Sequence, residues 1–113
     1  MSSSELYRVC HVSEIAEGTA GSVEIAGQRL GLYNIGGTFF AIDDRCTHAM
    51  AFLSEGHIDG DTVECPLHGG CFHIPTGRPL TPPVRTPVRA YPVQVIDDQV
   101  YIQIDDDENE QEP

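Results

Sequence analysis

The sequence predicts an all-β fold, a small antiparallel sandwich or barrel. Three observations lead there. Short apolar runs punctuated by Gly, Pro and Asp recur along the chain, no window sustains the 3.6-residue spacing of an amphipathic helix, and dipeptides suited to tight hairpins fall between the runs. Eight short strands with turns between them suit a closed or two-layered β structure. At 113 residues there is room for one domain, and at 40% apolar residues the chain can bury a core.

In chain order the expected strands are Leu6 to Val9, Gly21 to Ile25, Arg29 to Asn34, Thr38 to Asp43, Thr62 to Glu64, Cys71 to Ile74, Tyr91 to Ile96 and Val100 to Ile104. The last has the clearest pattern, because Val100, Ile102 and Ile104 alternate with Tyr101 and Gln103 and so put one face in the core. Hairpin turns are expected at Ala26-Gly27, Gly36-Gly37, Asp59-Gly60 and Asp97-Asp98, where Gly or Asp tolerates left-handed backbone. Pro75-Thr76-Gly77 and the run Pro79 to Pro87, which holds four prolines, lack strand character and read as rigid, ordered loop.

Eighteen Asp and Glu stand against six Arg and no Lys, a net charge of −12. A chain so acidic makes nucleic acid an improbable partner. Six of the acids crowd residues 105–113 (Asp105, Asp106, Asp107, Glu108, Glu110 and Glu112), a like-charge run expected to be a solvated, disordered tail. The remaining twelve acids against six Arg leave residues 1–104 at about −6, a balance that serves solubility or suits basic docking partners, with Asp43, Asp44 and Glu55 as candidate docking acids. No stretch approaches the apolar length of a membrane helix, and Met1 to Glu5 holds neither a basic region nor an apolar signal core. The expectation is a cytoplasmic protein with no membrane partner, whose four cysteines serve metal or redox chemistry rather than disulfides.

The chemistry concentrates in Cys46-Thr47-His48 and Cys65-Pro66-Leu67-His68, separated by sixteen residues. Each segment offers one thiolate and one imidazole in turn-like sequence between strands. Two loops with matched Cys and His pairs can meet at one tip and enclose an ion or cluster, and this ligand set suits tetrahedral zinc or an iron–sulfur cluster.

With its Cys-Thr-His, sixteen-residue spacer and Cys-Pro-Leu-His-Gly, the chain resembles a Rieske-type [2Fe-2S] ferredoxin. The likeness extends through Ser54-Glu55-Gly56, the lead-in Gly60 to Cys65, the Pro-Thr-Gly turn and the proline run. The resemblance implies a Rieske fold over 1–104, with an antiparallel β base and a cluster-binding lobe at about 43–83. It implies that Cys46 and Cys65 hold one iron and that His48 and His68 hold the other, nearer the surface. Two ferric ions, two sulfides and two thiolates then sum to a neutral oxidised cluster, where four thiolates would leave a dianion. An added electron therefore meets less repulsion, and Rieske centres lie at about −150 to +300 mV against about −400 mV for plant-type ferredoxins. Gly69 and Gly70 would let backbone amides approach the sulfides, and Pro82 and Pro83 would shield the cluster as a third loop.

The family's soluble members carry electrons from a flavoprotein ferredoxin reductase to the Rieske non-haem iron terminal oxygenase of bacterial aromatic-ring-hydroxylating dioxygenases. The resemblance therefore implies an electron carrier, not an enzyme. After the cluster motifs only His73 remains, too few ligands for a mononuclear iron site. Two other readings stand beside it: the Rieske-like small subunit of an assimilatory nitrite reductase, and a colourless structural zinc module. Cys10 reads as a small buried hydrophobe and Cys71 as a residue packed beneath the cluster or in the core. His11, His57 and His73 read as surface or capping residues.

The chain departs from the high-potential Rieske proteins at four positions. The extra loop cysteines that form their disulfide fall on Ala51 and Leu67, and their Ser and Tyr hydrogen-bond donors fall on Gly70 and Phe72. Fewer donors stabilise the added electron less. A redox titration is expected to place the midpoint in the lower part of the Rieske range; a value near +300 mV would contradict this reading.

Overall fold

The hairpins form where the backbone can turn left-handed. Ala26 and Gly27 (φ 52° and 82°), Gly36 and Gly37 (62° and 93°) and Asp97 and Asp98 (52° and 65°) are two-residue turns with both φ positive, the geometry that matches the twist of paired strands. The computed structural model describes residues 4–47, 50–67 and 69–105. The strands are β1 (Ser4–His11), β2 (Thr19–Ile25), β3 (Gln28–Ile35), β4 (Thr38–Asp43), β5 (His57–Asp59), β6 (Thr62–Glu64), β7 (Cys71–His73), β8 (Ala90–Tyr91), β9 (Val93–Ile96) and β10 (Gln99–Asp105). Single 3₁₀ turns lie at Val12–Glu14 and Leu53–Glu55. Among the described residues no helix is long and apolar enough to cross a membrane.

All pairings are antiparallel and build three sheets, ordered β1-β10-β9, β2-β3-β4-β8 and β5-β6-β7. The fold is thus all-β, as the turn spacing anticipates. Two corrections to the strand list have physical causes. The run Tyr91 to Ile96 is two strands, because Pro92 lacks an N–H to donate and the chain changes sheet there: Tyr91 pairs with Ala41 of β4, whereas Val93 pairs with Ile102 of β10. The unforeseen β5 owes its existence to pairing, since His57, Ile58 and Asp59 lie opposite Glu64, Val63 and Thr62.

The middle of β3 is buried throughout from Leu30 to Asn34. Its alternating side chains enter two different cores. Leu30 and Leu32 join Ile25, Ala41, Tyr91, Val100 and Ile102 between the first two sheets. Tyr33, on the other face, joins Ile42, Leu53, Val63, Phe72, Ile74, Val84 and Val88, together with Cys46 and Cys65. The second core seats the small β5-β6-β7 sheet and its loops on the base.

Several polar residues act locally. His11 caps the turn after β1, its Nδ1 accepting from the Ser13 N–H at 3.1 Å while Glu14 accepts from the His11 N–H. His73 bridges Thr76 Oγ1 (2.8 Å) and Asp61 Oδ2 (3.2 Å), fastening the Pro75-Thr76-Gly77 turn to the β5–β6 connection. Cys10 is buried, as read from its strand.

Gly77 has φ 78°, and a Cβ there would run into the Val88 carbonyl, whereas Gly18 at φ 79° faces open space. Gly18→Ala should cost about 1 kcal/mol from backbone strain alone, a Tm loss of about 6 °C. Gly77→Ala should cost about 3 kcal/mol and lower Tm by about 18 °C, because the clash adds to the strain. Equal losses in thermal melts of the two variants would contradict the packing described at Gly77.

Candidate metal centre

Cys46 leaves the end of β4 and Cys65 leaves the end of β6, and each opens a loop closed by the same backbone hydrogen bond. The Cys46 N–H donates to the Ala51 carbonyl at 2.9 Å, and the Cys65 N–H to the Gly70 carbonyl at 2.7 Å. Both span five residues, so the two loops are matched reversals rooted in the second core. Arg45 pairs with Phe52 across the neck of the first.

The two thiols are almost fully buried, at 3% and 1% exposure, and are not joined in a disulfide. Burial pushes the Cys65 thiol up to about 11, and a hydrogen bond with the Cys46 thiol adds to the effect, while a backbone hydrogen bond at Leu67 opposes it. The sulfurs are therefore neighbours. A metal bound by thiolates takes the place of the thiol protons, and two adjacent buried sulfurs are the donor chemistry of such a site. These residues fit an iron–sulfur cluster. Among the described residues no group of three or more His, Cys, Asp or Glu side chains offers a competing site. His48 and His68 lie outside the described residues.

A third segment supports the two loops. Thr47 Oγ1 donates to the Thr86 carbonyl at 2.8 Å, the Cys71 N–H donates to Thr81 Oγ1 at 2.9 Å, and the Leu80 N–H to the Cys71 carbonyl at 2.8 Å. From this segment Val84 enters the core beside the cysteines, while Pro82 and Pro83 are exposed. Val84 is thus the residue of this segment that packs in the core with the two cysteines. Its methyl groups occupy the space a Cβ on residue 70 would need, so Gly70 is accounted for by packing. Cys71 is half-buried with its thiol 3.7 Å from the Gly69 carbonyl. The segments 46–51, 65–70 and 79–84 contain no charged residue, and Met50, Leu67 and Leu80 are exposed on them.

The docking expectation needs correction at Asp44. Its carboxylate is fully buried, accepting from Arg29 Nε at 2.6 Å, the Ser54 N–H at 2.7 Å and Ser54 Oγ at 3.0 Å, and so cannot meet a partner. Asp43 is half-buried and accepts from Tyr91 Oη at 2.6 Å and the Arg89 N–H at 3.2 Å. Glu55 is exposed, 3.9 Å from Arg29 Nη2. At the missing disulfide Leu67 is exposed and Ala51 half-buried, and at the missing hydroxyls Gly70 and Phe72 are both buried.

Residues 5–92 match the model of the Rieske [2Fe-2S] domain. The chain is 42% identical to Ferredoxin CarAc of Metapseudomonas resinovorans over 84% of this chain and 90% of that one. It is also 42% identical to the 3-phenylpropionate/cinnamic acid dioxygenase ferredoxin subunit of Photorhabdus laumondii, over 93% and 99%. Its fold aligns with a chain of a complex of reduced oxygenase and oxidized ferredoxin in carbazole 1,9a-dioxygenase, at TM-score 0.82 and 41% identity, covering 86% of this chain and 91% of that one. Matched over most of its length in sequence and fold, and carrying paired buried thiols at the roots of two matched loops, the chain belongs to the Rieske [2Fe-2S] domain family.

Proposed function

We propose that this ferredoxin carries single electrons, in the cytoplasm, from a flavoprotein reductase to the Rieske non-haem iron terminal oxygenase of an aromatic-ring-hydroxylating dioxygenase. The observation that carries the reading is the pair of neighbouring buried thiols, in a chain whose relatives are named as dioxygenase ferredoxins. When bound, the [2Fe-2S] cluster supplies a reversible one-electron store. In this reading Cys46 and Cys65 hold one iron, His48 and His68 hold the other, and no residue is catalytic. Residues 43–83 are then the cluster-binding lobe, 1–104 the single domain and 105–113 an appended acidic tail.

The chain's own residues hold the site dry and in register. Leu53, Val63, Phe72 and Val84 pack against the cysteines and exclude water from the sulfur side. The Thr47 to Thr86 hydrogen bond fixes the first loop against the third segment. In this reading His48 and His68 give the outward path for the electron, and the uncharged segments 46–51, 65–70 and 79–84 let a partner approach without stripping water from ions. Small electron-transfer interfaces of this kind suit brief encounters.

The named relatives give no support to the nitrite reductase alternative. Anaerobically purified protein is expected to be coloured and to contain two irons and two acid-labile sulfides per chain. Cys46→Ser and Cys65→Ser should each abolish both the visible absorbance and reduction by the reductase. Colourless wild-type protein with zinc, or copurification with a large sirohaem subunit, would overturn the proposal. A second expectation concerns turnover: with reductase and terminal oxygenase present, product should form only when this chain is added. Undiminished product without it would count against the carrier role.

A further inference from the structure

The carboxylate of Asp44, two residues before Cys46, is the only fully buried charged group among the described residues. Its partner Arg29 is 38% exposed at the side chain, stacked on the Phe52 ring with its guanidinium carbon 3.7 Å from the ring centroid. The pair is thus a lopsided dipole. The negative end lies in the interior, where charge interactions are weakly screened, and the positive end lies at the rim, where water and salt reduce its reach. The interior end is well seated: three hydrogen bonds reach the carboxylate, and the Asp44 carbonyl accepts from the Leu53 N–H at 2.6 Å.

The same low-dielectric pocket holds a second sign of Asp44's field. The hydroxyl of Tyr33 is buried with no hydrogen-bond partner, and with Asp44 Oδ1 it lines the space above the Gly31 Cα. Burial, and then the Asp44 charge, push the Tyr33 phenol well above its ordinary range. Tyr33 belongs to the core that contains Cys46 and Cys65, so the carboxylate's field extends into the core behind the ligand thiols.

We propose that the Arg29–Asp44 pair sets the reduction potential of the site, with the interior carboxylate opposing uptake of the electron and the rim guanidinium partly offsetting it. Neither residue is among the four that would hold the cluster; both would act on it through space. This inference rests on the reading that Cys46 and Cys65 bind the cluster. It also adds a cause for a low potential that is independent of the missing hydroxyl donors at residues 70 and 72.

The test is a redox titration of purified holoprotein, with cluster content measured by visible absorbance. Asp44→Asn is expected to raise the midpoint, Arg29→Gln to lower it, and the double variant to fall between the two. A purely structural tie would move both single variants in the same direction. Same-direction shifts, or no shift in either variant at full cluster content, would overturn the proposal. So would loss of the cluster from both, which would make the pair an anchor alone. Should Asp44→Asn fail to fold, Arg29→Gln and Arg29→Lys decide: a midpoint lowered in the first and kept in the second supports the proposal, and any other result refutes it. Absence of a cluster from the wild-type protein would instead defeat the electron-carrier reading beneath it.

Discussion

Strand β3 has no solvent face across its middle, and that constraint organises the molecule. Leu30 and Leu32 require one apolar layer while Tyr33 requires another, so the chain must build something on each side of the same sheet. The first side is satisfied by β1, β9 and β10. The second is satisfied by residues between β4 and β8, and these are the residues that bring the two cysteines together. The two cysteines thus sit where the sheet's second face needed a cover, and their apolar neighbours serve packing and water exclusion at once.

The two cysteine-bearing loops depend on polar groups placed behind them. Asp44 gathers Arg29, Ser54 and the Leu53 N–H around one buried carboxylate, joining the start of β3, the end of β4 and the turn at Leu53–Glu55. Removing one partner of such a group leaves the rest stranded in a medium that tolerates unpaired charge poorly. The first loop therefore has a rigid root while its tip stays free of charged residues. The second loop has a different support, with Gly70 held under Val84 and the Cys71 N–H held by Thr81. Unlike supports produce like loops.

Much of this was legible in the chain itself because the signals are local. The alternation over Val100 to Ile104 shows in neighbouring residues, and three of the four expected hairpin turns coincide with strand connections, the fourth lying one residue on, at 60–61, because Asp59 ends β5. The Cys and His spacing is equally plain. What escaped is what depends on distant partners. Asp44 looks like any loop acid until Arg29, fifteen residues earlier, is placed beside it. Val84 hides within a run of prolines that reads only as rigid, ordered loop. His57, Ile58 and Asp59 hold a single apolar residue, and only β6 makes them a strand. The Tyr91 to Ile96 run alternates well enough to suggest one continuous strand, and the missing N–H of Pro92 outweighs that pattern.

The change of sheet at Pro92 has one more implication. Tyr91 is bonded into one layer of the base and Val93 into the other, with the Pro92 carbonyl accepting from the Gln103 N–H at 2.9 Å. Neither layer can peel away without dragging a covalently attached piece of its neighbour along. Opening of the base is thereby concerted, with the two layers behaving as one foldon and their amides exchanging in a single event rather than sheet by sheet.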